Sequence, residues 1–450
     1  MVIRAVSIVV VAVCGMLFGV GCGGQTAPST APESAAPSPT PAQEPSAAPS
    51  APESVAGLSF SPGPDVQAAL QEALITVKPG SVIQLEEGIF ELTMGLSLDV
   101  DNVTIRGRGM DKTILSFKNQ DVGTEGVYVT GDNVTLEDFT IQDTKGNGHK
   151  SNAAANHVIR RVKAEWTGGP KEANGAYGLY PVSSKNVLIE ECVVNGASDA
   201  GIYVGQSENV IVRTSRAEYN VAGIEIENCH GADVYDCVAT HNAGGILVFD
   251  MPDLPVQRGR NVRVFRNKAV DNDTENFAPK GNIVATVPTG TGVMVMANSN
   301  VQVFDNEIGG NGTTNVLVTS YLTTQRPIND PNYYPYAEGI SIHGNTFGPC
   351  GFKPGGEGGA LMALIAGTPL PDIVWDGVVN EERLVNGELP AELRVYINGN
   401  RKQDGEVTFA NIDAPNALAN PAAVQVKRDL AAHAGSLPPL TPITIEGIAS

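Results

Sequence analysis

Short stretches in which apolar and variable residues alternate recur along this chain, separated by Asn, Gly and small polar residues. One series has the order Asn or Gly, apolar, variable, apolar. It opens at Asn102, Asn133, Asn156, Asn186, Asn209, Gly231, Asn261, Asn300 and Gly339. Successive units lie 22 or 23 residues apart at the closest and up to 39 apart elsewhere, so a minimal period carries loops of variable length. A second series of short strands precedes the first, as in GIYV from Gly201, GIEI from Gly223, GILV from Gly245 and GVMV from Gly292. Period-two alternation buries one face of a strand and exposes the other. Strands this short need neighbours, and stacking turn upon turn pairs them about 4.8 Å apart around a continuous interior. The i, i+3, i+4 pattern of a helical repeat is absent. The pattern therefore predicts an all-β parallel β-helix of about nine or ten coils over residues 57–349.

The ends of such a solenoid expose strand edges and need caps. DVQAALQEALITV has apolar residues at 66, 69, 70, 73, 74 and 77, a helical stripe, with Asp65 placed as N-cap. It predicts an N-terminal helical cap. Residues 350–450, rich in Pro and Gly, read as an irregular C-terminal cap with a short helix at ALMALIAG and a last coil near LRVYINGN. The column closing each unit reads Cys192, Ser215, Cys237, Asn267, Asn306, Asn345. Small and amide side chains stacked at one corner can satisfy each other inside the solenoid. Cys192 and Cys237, two coils apart at roughly 9–10 Å, are beyond disulfide reach and read as buried thiols.

Composition adds a compartment. Residues 1–21 carry Arg4 before an apolar run and read as an export signal rather than a spanning helix. The small residues before Cys22 resemble a lipobox, which implies lipid attachment at Cys22, although Gly19 stands where Leu is usual. Residues 22–56 are Pro, Ala and Ser with few large apolar side chains, an extended tether. The expected location is the bacterial cell envelope, periplasmic or at the outer-membrane surface. A net charge of −20 and the lack of a basic stripe argue against a nucleic-acid partner.

The opening DVQAALQEALITVKPGSVIQLEEGIF resembles that of right-handed parallel β-helix proteins of the pectate-lyase-like type. The segments YGLYPVSSKNVLIEECVVNGASDAGIYVGQSENVIV, VAGIEIEN, GGILVFDMPDLPVQ, NFAPKGNIVATVPTGTG and VMANSNVQVFDN resemble a family of exported bacterial β-helix lipoproteins of unassigned activity. Members of that family often accompany an exported dihaem c-type cytochrome, and the resemblance implies such a partner. This chain has no C-x-x-C-H haem-attachment motif of its own.

Chemistry is sought on the outward positions of the second strand series. One column reads Tyr128, Tyr180, Tyr203, Glu225, Leu247, Met294, and the next Thr130, Val182, Gly205, Glu227, Phe249, Met296. Gln206, Asn228 and Asp250 follow at the corner. Exposed Leu, Phe and Met suggest a covered surface, and the long loops after Asp250, from Asp271 and from Thr319 are placed to fold over it. Glu225 and Glu227 share a side of one strand about 6–7 Å apart, a spacing that permits paired-carboxylate chemistry. They are the candidate catalytic residues. Tyr180, Asp199, Tyr203, Gln206, Asn228, Phe249, Asp250 and Lys280 are the candidate ligand-binding residues. The columns contain no Arg or Lys, although Lys280, Arg258 and Arg260 in the loops can supply a cation, so a neutral or cation-bridged glycan is the expected ligand. The Asp-Pro-His-Asp signature of bacterial mannuronan epimerases and the Asp-pair and Gly-His-Gly patterns of polygalacturonases are missing. No metal site or cofactor is expected; Asp250 with Asp253, or Asp271 with Asp273, offer oxygens for Ca²⁺. Three readings follow: a surface protein that binds or processes a polysaccharide, as a lyase, hydrolase or epimerase if it is an enzyme; a module docking an exported protein on Leu247 and Phe249; and a rigid spacer.

Overall fold

The computed structural model describes residues 57–420 and 424–447, so the signal, the tether and Cys22 lie outside the described residues. The repeat winds into a parallel β-helix. Its strands form a 21-stranded sheet that makes two walls and an 11-stranded sheet that makes the third. Pairing is parallel throughout the two sheets, as in Ile202↔Ile224↔Ile246↔Val293↔Val316. Inward Ile, Val and Leu from all three walls fill one continuous core.

The opening Asn or Gly of each unit has a physical cause. Asn102, Asn133, Asn156, Asn186, Asn209, Asn261 and Asn300 all have φ between 53° and 59°, and Gly231 and Gly339 have φ of 88° and 66°. This corner is left-handed, a conformation Asn and Gly reach at least cost. The Asn side chains also stack, with Asn156 donating to Asn133 at 2.8 Å and Asn186 to Asn156 at 2.7 Å. Gly201, by contrast, does not have positive φ; a Cβ there would meet the Asn220 amide at 2.7 Å.

The inward column forms a ladder. The Asn267, Asn306 and Asn345 backbone N–H groups each donate to the next amide oxygen, at 2.9–3.0 Å, ending on Asn400. A second inward ladder, Asn220, Asn242, Asn272 and Asn311, runs along another corner. Its sequence signal was the Asn three residues before Gly223 and Gly245. Cys192, Cys229, Cys237 and Cys350 are free and buried.

Helix α1, Val66–Thr76, covers the first coil with Val66, Leu70, Ala73 and Leu74. Asp65 occupies the N-cap position without making a side-chain capping bond. The parallel ladder does not stop at residue 349: Ile373–Trp375 pairs with Thr314–Thr319, Val395–Asn398 with Glu338–His343, and Phe409–Asn411 with Ile373–Trp375. Two short helices, α2 at Gly356–Ala366 and α3 at Ala414–Ala419, interrupt and follow these strands. The last described residues then turn back across the long sheet. Gln302 donates to the Pro438 carbonyl at 2.8 Å, Ile443 N–H to Asp233 at 3.0 Å, and Ile445 packs on Leu188 and Ile211.

Candidate functional site

The 11-stranded sheet presents its outward columns in the expected register: Tyr203↔Glu225↔Leu247↔Met294↔Leu317 and Glu227↔Phe249↔Met296↔Thr319. One strand was missed in the sequence. His149–Asn152 lies between Val122–Val129 and Tyr177–Val182, and it puts Lys150 in the column opposite Tyr128 and Tyr180. The columns therefore do contain a cation, against expectation. HKSN shows no apolar alternation because its inward residues are His149 and Ser151. His149 Nε2 lies 3.0 Å from His157 Nε2 inside the solenoid, and each Nδ1 is 3.0 Å from a backbone carbonyl.

The columns are not uniformly open to solvent. Tyr128, Lys150, Tyr177 and Tyr180 are half-buried at the mouth. Tyr177, Tyr180 and Tyr203 cluster with ring centroids 4.5–5.0 Å apart, and Lys150 Nζ lies 5.1 Å from the Tyr180 ring. Beyond them the chain covers itself. A second hydrophobic cluster joins Tyr203, Leu247, Phe249, Met294 and Met296 to Ala278, Val284, Val287, Tyr321 and Tyr333 of the loops. Leu247 and Phe249 are fully buried there, which removes them as a partner-docking surface. Glu225 and Glu227 are likewise buried, at 1% and 9% exposure, rather than facing solvent.

Burial changes the chemistry of the carboxyls. Asp199, Glu225 and Glu227 titrate together. Burial, and then the charge of Glu227, raises Asp199 to about 7, against the amide of Asn282 at 3.2 Å and the Tyr177 hydroxyl. Burial raises Glu227 to about 7, against the Tyr203 hydroxyl, which donates to it at 2.6 Å. Burial and the neighbouring charges of Glu227 and Asp199 push Glu225 well above the carboxylate range. Asp250 is raised to about 7 by burial, although the Gly259 N–H donates to it at 2.7 Å. Glu225 Oε2 and Asp250 Oδ2 have no hydrogen-bond partner among the described residues. An apolar enclosure favours the neutral carboxyl, so this cluster retains protons close to neutral pH.

The remaining expected ligand residues separate. Asn228 is spent on structure: its amide donates to the Met251 and Val256 carbonyls at 2.9 Å and its oxygen accepts the Met251 N–H. Phe249 is core. Gln206 is half-buried at a left-handed corner, φ 54°. Lys280 is exposed on the loop whose Asn282 reaches Asp199. The acidic pairs offered for Ca²⁺ gain no support: Asp250 is buried while Asp253 is exposed, and Asp273 is bonded to His241 at 2.8 Å. Among the described residues no three of His, Cys, Asp or Glu are grouped to hold a metal. Farther along the covered face, a cavity of about 1100 Å³ opens over Met294, Met296 and Leu317, with α2 and α3 on its walls. Its apolar floor differs from the tyrosine-lined mouth.

Several solved structures are similar to this chain. The Azotobacter vinelandii mannuronan C-5 epimerase AlgE4 A-module matches with TM-score 0.52 and 16% identity, covering 75% of this chain and 90% of the module. The periplasmic alginate epimerase AlgG matches at 0.45 and 14%, covering 76% and 83%, and pectate lyase Pel9A at 0.37 and 12%, covering 78% of each. No curated protein matches by sequence. The family model for the right-handed β-helix region matches residues 100–256 and 172–355, more than half of the chain, and the protein belongs to that family.

Proposed function

We propose that this protein is exported, anchored in the cell envelope through Cys22, and binds a polysaccharide across the open end of its 11-stranded sheet. The observation that carries the reading is the half-buried stripe Tyr128, Lys150, Tyr180, with Tyr177 beside it. Tyrosine rings offer flat apolar faces with a polar tip, suited to sugar rings. Lys150 offers a cation to a uronate carboxylate, so an acidic glycan is now as well matched as a neutral one. The shared fold with a module named for its action on mannuronan supports the same ligand class.

Affinity electrophoresis through gels containing a polyuronate or a neutral glucan tests this. Retardation of the parent protein is expected, with at least about a tenfold weaker apparent affinity in Tyr180→Ala and Lys150→Ala. Unchanged mobility in every glycan defeats the proposal. Lipid labelling lost in Cys22→Ala tests the anchor.

A second reading is catalysis, favoured by carboxyls that hold protons near pH 7 beside the stripe. It requires the covering loops to move, because Glu225 and Glu227 are buried. Product formation from a bound glycan, lost in Glu225→Gln or Glu227→Gln with the fold intact, supports it; no product from any retained glycan removes it. Docking of an exported partner such as a dihaem cytochrome would have to use a surface other than Leu247 and Phe249.

A further inference from the structure

The chain carries 49 acidic and 29 basic residues, and its arginines are commonly matched to carboxylates. Arg106 pairs with Glu137, Arg161 with Asp138, Arg263 with Asp233 and Arg266 with Asp236. Arg258 and Arg260 are different. Both are exposed, and among the described residues neither guanidinium forms an ion pair, although the buried Asp250 feels the charge of Arg258. They stand at the corner between the strands Gly244–Phe249 and Arg260–Phe265.

Arg258 is placed by an aromatic ring, its guanidinium carbon 4.4 Å from the Tyr334 centroid. Arg260 Nη1 is 3.0 Å from His230 Nε2, but that nitrogen is also 2.9 Å from the Gln257 carbonyl. Nε2 can serve only one of the two: with its hydrogen toward the carbonyl, which only accepts, Arg260 meets a donor instead of an acceptor. Its other contact is the Arg258 carbonyl at 3.3 Å. Arg383 joins from the loop after Ile373–Trp375, paired at 3.1 Å with the buried Glu338, which also accepts the Tyr334 hydroxyl at 2.7 Å. These groups line a recess of about 230 Å³ with Ser299 on its wall.

We infer that this recess binds a compact oxyanion: a carboxylate, sulfate or phosphate group. Glu338 is taken by Arg383, and Asp250, which burial inclines to the neutral form, offsets Arg258 only in part, so the guanidiniums of Arg258 and Arg260 keep charge and donors for a ligand. The planar guanidinium fork matches an oxyanion in two hydrogen bonds. Stacking on Tyr334 orders Arg258 before the ligand arrives, which lowers the entropy lost on binding. The acidic remainder of the chain repels anions at long range, but screening confines that repulsion to about 10 Å at 0.1 M salt. The recess and the tyrosine stripe share no residue, so either can fail alone.

Titration calorimetry on the full chain, at low and at physiological ionic strength, tests the inference with sodium phosphate, sodium sulfate and sodium glucuronate. At least one anion is expected to bind, with affinity reduced about tenfold or more in Arg258→Gln/Arg260→Gln and in Arg260→Gln alone. Arg108→Gln, which removes an exposed arginine paired with Glu86, should change affinity by less than about twofold. Glucuronate binding alone identifies a glycan carboxylate as the source, and phosphate or sulfate binding identifies a free oxyanion or its ester. No binding of all three, or an equal loss in Arg108→Gln, overturns the site.

Discussion

Tyr128, Lys150 and Tyr180 occupy the same outward column as Tyr203, Glu225, Leu247 and Met294, yet the first three are half-buried and the last four are buried. Strand register is identical in the two halves. The difference comes from loops inserted after residues 250, 270 and 319, which fold back over the sheet and build a second core. Outward in a solenoid therefore means outside the coil, and the inserted loops decide whether it also means solvent. The open half keeps tyrosines and a lysine available to a ligand. The covered half turns its carboxyls into proton-holding groups.

The sharpest way to break this comparison is to place a charge in each half. Phe249→Asp should cost more than about 4 kcal/mol, because a carboxylate would be enclosed without a partner. Tyr128→Asp in the open half should cost less than about 1 kcal/mol. Chemical denaturation of both variants checks this, and similar losses would show the two halves to be equally covered.

The halves should also differ in pH dependence. In the covered half the folded state binds protons more tightly than the unfolded chain, since Asp199, Glu227 and Asp250 are raised to about 7. Stability present at low pH is then lost as pH rises from about 4 through about 7. The change is on the order of 3–4 kcal/mol per group before coupling. Glu225→Gln/Glu227→Gln should flatten that decline and leave the double variant more stable than the parent at pH 8, read from denaturation midpoints across pH.

Behind the open half the sign reverses. Burial lowers His157 to about 4 and, with the charge of His157, lowers His149 well below its ordinary value. The unfolded chain then binds more protons, so stability falls as pH drops from about 6.5 toward about 4. If both Nδ1 atoms donate to their carbonyls, two bare Nε2 atoms face each other and the pair admits one proton between them at most. His157→Val, which restores the residue type of Val134 and Val187 in that column, should weaken the acid-side decline in the same denaturation series. The smallest stability effect belongs to Tyr180→Ala, below about 1 kcal/mol, although the same change should abolish most glycan retention.

Much of the frame was legible in the sequence because each repeated letter answers a repeated local demand. Asn and Gly openers mark a left-handed corner, Ile and Val alternation marks the inward face, and Asn267, Asn306 and Asn345 mark a ladder whose amides bond to one another and to backbone carbonyls of the coils. The strand at His149 was hidden because its inward residues, His149 and Ser151, are polar, with His149 facing His157 across the coil, which alternation cannot reveal. The coil at Val395–Asn398 was legible as LRVYINGN, whereas the strands at Ile373 and Phe409 were hidden by the long insertions around them.

The sequence by itself determined the parallel β-helix and the order of side chains along its outer columns, since both follow from backbone geometry repeated at short range. Only the tertiary structure decided which of those side chains meet water. That depends on contacts between loops and coils far apart in the chain, and it set Glu225, Glu227, Phe249 and Asp250 beneath a cover, left Tyr180 and Lys150 at a mouth, and drew Arg258, Arg260 and Arg383 into one recess.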